Sequence, residues 1–146
     1  MRELFSKEAL AIEYGAYSWE EAIRVTGKLM LERGSIEEGY IQAMIDVVHK
    51  VGPYIVLAPH IAIAHAAAGT YVQKDDLVVV VFKEPVLFHC DNDPVHLMIG
   101  LCAIAKASHL ELLKNLSLVL DDENVWKEFL ACENLEQLYA RVNKQI

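Results

Sequence analysis

Apolar residues recur at two different spacings along this chain, and the switches between them mark out its elements. From Ser18 to Gly34 the spacing is helical, with Ala22, Ile23, Thr26, Leu29 and Met30 on one face. Ser18-Trp19-Glu20-Glu21 has the form of a capping box, in which the serine hydroxyl accepts from the amide three residues on. Ser35-Ile36-Glu37-Glu38 repeats that signal, and Tyr40, Ile41, Met44, Ile45 and Val48 form the next stripe. Two successive helices are therefore predicted, stopped by Gly34 and by Gly52-Pro53. The spacing then becomes that of strands. Residues 54–57 are a short β-prone run that breaks at Pro59. Residues 77–82, LVVVVF, are apolar at every position, which predicts a strand covered on both faces, and residues 95–105 read as another. Glu84-Pro85-Val86 is expected to end the first of these, and Asp91-Asn92-Asp93-Pro94 to form a turn. Beyond them Ser108 is expected to cap a helix of Leu110, Leu112, Leu113, Leu116 and Leu120. Two shorter helices follow, from Asp121/Asp122 through Leu130 and from Asn134 through Val142. Residues 1–17 fit either a short helix or an edge strand.

Helices on either side of a block of buried strands imply an α/β sandwich, with helices on both faces of a sheet. The helix pairs before and after the strands do not follow a regular βαβ alternation. No internal repeat, linker or low-complexity tract divides residues 1–146, so one domain is expected. No apolar run approaches the roughly 18 to 20 residues of a membrane span, and Met1-Arg2-Glu3-Leu4 opens no signal-peptide pattern, so a cytoplasmic protein is expected. A net charge of −8 with scattered basic residues argues against nucleic acid as a partner. Cys90, Cys102 and Cys132 have no paired spacing, which fits single thiols in a reducing compartment.

The chemistry concentrates in GPYIVLAPHIAIAHAAA, residues 52–68. A buried strand and a loop broken at Pro59 lead to His60 and His65, and only small residues follow His65, leaving its ring accessible. His109 falls in the first turn of a predicted helix, where unpaired amides and the helix dipole favour an anion. If the two loops converge, they make a place for a phosphoryl group, with one imidazole as acceptor and the other donating to its oxygens. The remaining histidines have plainer readings: His49 as a cation at a helix end, His89 at a surface turn, and His96 as a hydrogen-bonded histidine at the core edge. A metal site built from His60, His65, His96, His109 and Cys90 has little support, because the spacing of His60 and His65 matches no metal-ligand motif. No nucleotide-binding glycine loop and no nucleophile elbow occurs.

At these residues the chain resembles the enzyme IIA components of the bacterial phosphoenolpyruvate-dependent sugar phosphotransferase system, in the mannitol/fructose superfamily and its ascorbate-like branch. The resemblance rests on residues 52–66 in one motif, with Ser18-Trp19-Glu20-Glu21-Ala22 and Tyr40-Ile41-Gln42-Ala43-Met44-Ile45 before it. Pro85-Val86-Leu87-Phe88, Asp93-Pro94-Val95-His96-Leu97 and Ser108-His109-Leu110 follow in the same order. It implies a mixed sheet between two helical layers; no cofactor and no metal are expected. It also implies that His65 accepts a phosphoryl group from the carrier HPr, that His109 helps hold it, and that a cysteine of a IIB protein receives it. The IIC membrane permease would be only an indirect partner.

Three positions depart from the family pattern. Ala64 replaces a proline, His60 replaces a glycine, and Ala67 and Ala68 stand where a basic residue often follows the motif. A looser loop is expected from the first change. The second is expected to forbid a left-handed backbone angle. His60 is also a candidate auxiliary group that could replace the missing basic residue. Two rival readings remain open from the sequence: a IIA-like regulatory domain controlled by its phosphorylation state, and a histidine-rich metal-binding α/β protein.

Overall fold

A computed structural model of the chain describes residues 3–120, 122 and 124–144. Its strands are β1 (Leu10–Glu13), β2 (Val56–Ala58), β3 (His60–Ala64), β4 (Asp76–Val86) and β5 (Val95–Cys102). Its helices are α1 (Trp19–Glu32), α2 (Glu38–Val51), α3 (Lys106–Val119), α4 (Val125–Leu130) and α5 (Leu135–Asn143). The strands form one sheet in the order β1-β4-β5-β3-β2. β1 runs parallel to β4 and β3 parallel to β5, while the β4/β5 and β2/β3 pairs are antiparallel. The sheet is thus mixed, with its long strands in the middle and its two shortest at the edges.

The central strands show why the layers form. β4 is buried at every position from Asp76 to Phe82, and β5 from Leu97 to Cys102. Strands that are apolar on both sides need cover on both sides. α1 lies across β4 and β5, while α4 and α5 pack on β4, β5 and β1. Gly100 in β5 sets the closeness of α1: a Cβ there would sit 2.7 Å from the Met30 sulfur and 2.8 Å from the Thr26 methyl. The result is a sandwich of helices, sheet and helices, as the sequence pattern predicts.

Several local expectations change. Ser18 does cap α1, its Oγ accepting from the Glu21 amide at 3.2 Å. Ser35 does not cap α2, which begins at Glu38. Its buried hydroxyl instead donates to the Asp76 carboxylate, which Arg33 grips through Nε at 2.8 Å and Nη2 at 3.0 Å. This network ties the end of α1 to the start of β4. β4 is not ended by Glu84-Pro85-Val86; it runs on to Val86 after a register shift beyond Val81. Residues 54–57 do not form one strand, because Tyr54 and Ile55 lie in a turn and β2 is only Val56–Ala58. α3 is capped at Ala105 rather than Ser108, whose Oγ instead accepts from the Ala105 amide. Of the last two helices, α4 starts at Val125; Asp121, named as a possible start, lies outside the described residues, as do Met1 and Arg2.

The ambiguous N-terminal segment becomes an edge strand after one 3-10 turn over Lys7–Ala9. No helix among the described residues is long and apolar enough to cross a membrane.

Candidate active site

Because β3 and β5 are adjacent and parallel, both deliver their C-terminal ends to the same side of the sheet. His65 follows β3 directly. His109 lies seven residues past the end of β5, as the fourth residue of α3. The two rings meet edge to face, with centroids 5.8 Å apart and planes at 71°. They line a cleft of about 650 Å³ together with Ala66, Ala67, Ile104 and Lys106. Ligand sites in open α/β sheets commonly lie beyond the carboxyl ends of the strands, and this cleft does.

The His65 ring has a defined proton arrangement. Its Nδ1 is 2.8 Å from the carbonyl oxygen of Ile63. A carbonyl can only accept, so Nδ1 carries the hydrogen and the lone pair is on Nε2. In the neutral imidazole this leaves Nε2 free to attack. Burial, and secondarily the charge of His65, lower the His109 pKa below the ordinary histidine value. By linkage, its unfolded form binds protons more tightly than the folded one. That contribution to stability is complete above the ordinary value of 6.5 and is lost as pH falls through the lowered folded value.

α3 opens toward this cleft with an alanine at its N-cap and no side-chain cap on its first amides. The first turn thus keeps donors and dipole available to an anion. Its N-terminal half also leaves the apolar Leu110 and the preceding Ile104 exposed, at 68% and 52%.

Residues 3–145 match the family described as phosphoenolpyruvate-dependent sugar phosphotransferase system, EIIA 2. The chain belongs to this family. It is 30% identical over 138 residues to the mannitol-specific cryptic phosphotransferase enzyme IIA component of Escherichia coli K12, covering 94% of each chain. It is 29% identical over 144 residues to the ascorbate-specific EIIA component of the same strain, covering 97% of this chain and 93% of the relative. Among solved structures it resembles the complex of enzyme IIAMtl with phosphorylated enzyme IIBMtl from Escherichia coli, with a TM-score of 0.82 at 26% identity. That match covers 97% of this chain and 98% of the other.

In this EIIA chain the structure brings His65 and His109 together and leaves His60 apart. His60 opens β3 and His65 follows its close, a separation of about 16 Å at strand rise. The auxiliary role considered for His60 has no geometric support. Its ring stacks on Trp126 of α4 with centroids 3.5 Å apart, and His96 lies 5.6 Å away on the other strand. His96 is also bonded through Nδ1 to the Phe82 carbonyl at 2.9 Å. Nδ1 of His60 is buried with no hydrogen-bond partner among the described residues. Burial, then the charges of His96 and Lys127, lower the His60 pKa. Among the described residues no three His, Cys, Asp or Glu side chains converge as metal ligands do.

The expectation that His60 would not take a left-handed angle is corrected: its φ is +75°. The stacking against Trp126 holds a conformation that glycine would adopt freely. Two variants separate these contributions. His60→Ala keeps the strain and loses the stack, whereas His60→Gly loses both. Chemical denaturation should find the glycine variant about 1 kcal/mol more stable than the alanine one. Equal midpoints would remove strain from this account.

Lys106 escaped the sequence reading. It is the first residue of α3 and the cation among the residues lining the cleft. Its signal was present: a lysine three residues before His109, in a chain that lacks the basic residue after the histidine motif.

Proposed function

We propose that this protein is a phosphocarrier, taking a phosphoryl group from phospho-HPr on His65 and passing it to a cysteine of a IIB protein. The observation that carries the reading is the 2.8 Å approach of His65 Nδ1 to the Ile63 carbonyl, which leaves Nε2 of the neutral ring for a cleft shared with His109. In the first transfer the Nε2 lone pair attacks phosphorus in line. A new N–P bond forms as the donor's N–P bond breaks, and the donor imidazole leaves. In the second, a thiolate of IIB attacks, an S–P bond forms and the His65 N–P bond breaks. The Nδ1–H···O bond to Ile63 holds the ring while its electron demand changes.

The oxygens of the transferred group need stabilisation more than they need chemistry. His109, the uncapped first turn of α3 and Lys106 supply it. The exposed Ile104 and Leu110 give the cleft an apolar rim suited to a protein partner. The complex with phosphorylated IIB belongs to the mannitol relative, and it supports a IIB partner here. Transfer would take place in the cytoplasm, with the IIC permease reached only through IIB.

The test is the intact mass of the protein after incubation with phosphoenolpyruvate, enzyme I and HPr. One acid-labile phosphoryl group is expected, and its loss on adding a cognate IIB. No gain in mass with an active control carrier would overturn the reading.

His109 gives a second check. In NMR titration of the free protein it should be half-protonated below 6.5. In the phosphoprotein a dianion beside it favours the imidazolium, so the midpoint should rise. A midpoint that falls or stays on phosphorylation would remove His109 from the phosphoryl site.

A further inference from the structure

One polar atom in the core joins the two segments that carry the histidines. Tyr40 stands in the first turn of α2 and is 1% exposed. Its hydroxyl accepts a hydrogen bond from the Ala66 amide at 2.9 Å. It has one proton to give. The Leu101 carbonyl at 2.8 Å takes it, in preference to the Ala66 carbonyl at 3.3 Å. Ala66 is the residue after His65, at the end of β3. Leu101 is in β5, which leads through Cys102 to α3 and His109.

Strand pairing brings β3 and β5 together only as far as Ala64 and Gly100. Beyond that pair the ladder stops, yet the His65 ring must be aimed from there. The His65–Ala66 peptide has its amide fixed by Tyr40, while the ring is fixed by Ile63. Two bonds therefore hold this short segment, one on the His65 ring and one on the amide that follows it. A phenylalanine would fill the same space in the apolar stripe of α2 without that bond. Burial pushes the Tyr40 pKa up to about 12, so the hydroxyl keeps its proton at any physiological pH.

We infer that Tyr40 is a positioning residue for phosphoryl transfer: its hydroxyl extends the link between β3 and β5 past the last strand pair and thereby aims Nε2 of His65 beside His109. The inference rests on the function proposed above. Tyr40 touches neither the phosphoryl group nor a partner protein. It acts through the Ala66 backbone.

The test is Tyr40→Phe, which removes one oxygen. Phe129→Leu on α4, outside the cleft lining, serves as a control destabilised in the core. Two readouts are taken. The first is the rate of phosphorylation by phospho-HPr, separated into kcat and KM. A fall in kcat of about 10-fold to 100-fold is expected, the scale of a misaimed reacting group. KM should hold, since a buried residue makes no contact with HPr. The control should keep the kcat of the natural protein. The second readout is the nitrogen-15 spectrum of the His65 ring without any phosphoryl donor. The natural protein should show the Nδ1–H tautomer, and Tyr40→Phe a mixture of both. An unchanged tautomer population overturns the inference, and so does a kcat loss shared by Phe129→Leu. If the natural protein accepts no phosphoryl group, the proposed function fails by itself, and the ring spectrum still decides whether Tyr40 positions His65.

Discussion

Replacing His65 by glutamine is expected to leave a folded protein that gains no phosphoryl group, with transfer lost to the limit of detection. Glutamine has an amide N–H that could still reach the Ile63 carbonyl, so the loop keeps a plausible anchor. What it lacks is the nucleophile, because an amide nitrogen has its lone pair delocalised into the carbonyl. No neighbour is expected to substitute. The rings of His65 and His109 are close, but of the two it is His65 whose Nδ1 meets a backbone carbonyl, that of Ile63, leaving Nε2 for attack. Intact mass and a phosphohistidine-specific assay would be run on both proteins under identical donor concentrations. Phosphorylation of His65→Gln at another residue would overturn the assignment of the acceptor. A folded spectrum matching the natural protein is part of the expected result, since loss by unfolding would say nothing of chemistry.

Asn143→Ala should destabilise the protein by about 3 kcal/mol, a large share of the stability of a domain this size. Asn143 is the last residue of α5 and has no exposed surface. Its Oδ1 accepts from the amides of Leu4 at 2.7 Å and Phe5 at 2.9 Å. Its Nδ2 donates to the carbonyls of Phe5 and Tyr139, each at 2.9 Å. All four hydrogen-bonding positions of the amide are used, and three of them join segments 138 or 139 residues apart. Alanine would leave two amides and two carbonyls in or near the core without these partners. The same clamp holds the segment that leads into β1, so that edge strand should loosen first. Urea denaturation measures the total, and hydrogen exchange at residues 10–13 the order of events. A loss under about 1 kcal/mol would mean that water replaces the side chain without penalty.

The sequence displays the middle of this fold better than its margins. Residues 77–82 and 97–102 are apolar without interruption because helices cover both sides of them, so their role is local and readable. The cap at Ser18 is equally local. Ser35 carries the same short signal and does something else, because its hydroxyl is claimed by Asp76 from 41 residues away. No window of sequence contains that competitor. β2 and β3 were blurred into strand and loop because the turn between them rests on His60 at φ +75°, where glycine would have announced it.

The same distinction holds for the cleft. His65 and His109 each stood out on local grounds, one followed by small residues and the other opening a helix. Their meeting, which the family resemblance implied, depends on the parallel pairing of β3 with β5, a non-local fact that spacing alone does not give. Tyr40 was legible only as one member of an apolar stripe. Its distinguishing feature is a hydroxyl where a phenyl ring would suffice, and the partners of that hydroxyl are 26 and 61 residues away.

The two edges of the sheet are its shortest strands, four residues in β1 and three in β2. An open edge is a row of unpaired amides and carbonyls that can zip onto another chain. Here each row is too brief to bind a passing strand for long. The phosphocarrier proposed here, which would dock with one protein and depart for another, would benefit from that brevity. Its encounters can be governed by side chains around a cleft, which release readily, rather than by backbone ladders, which do not.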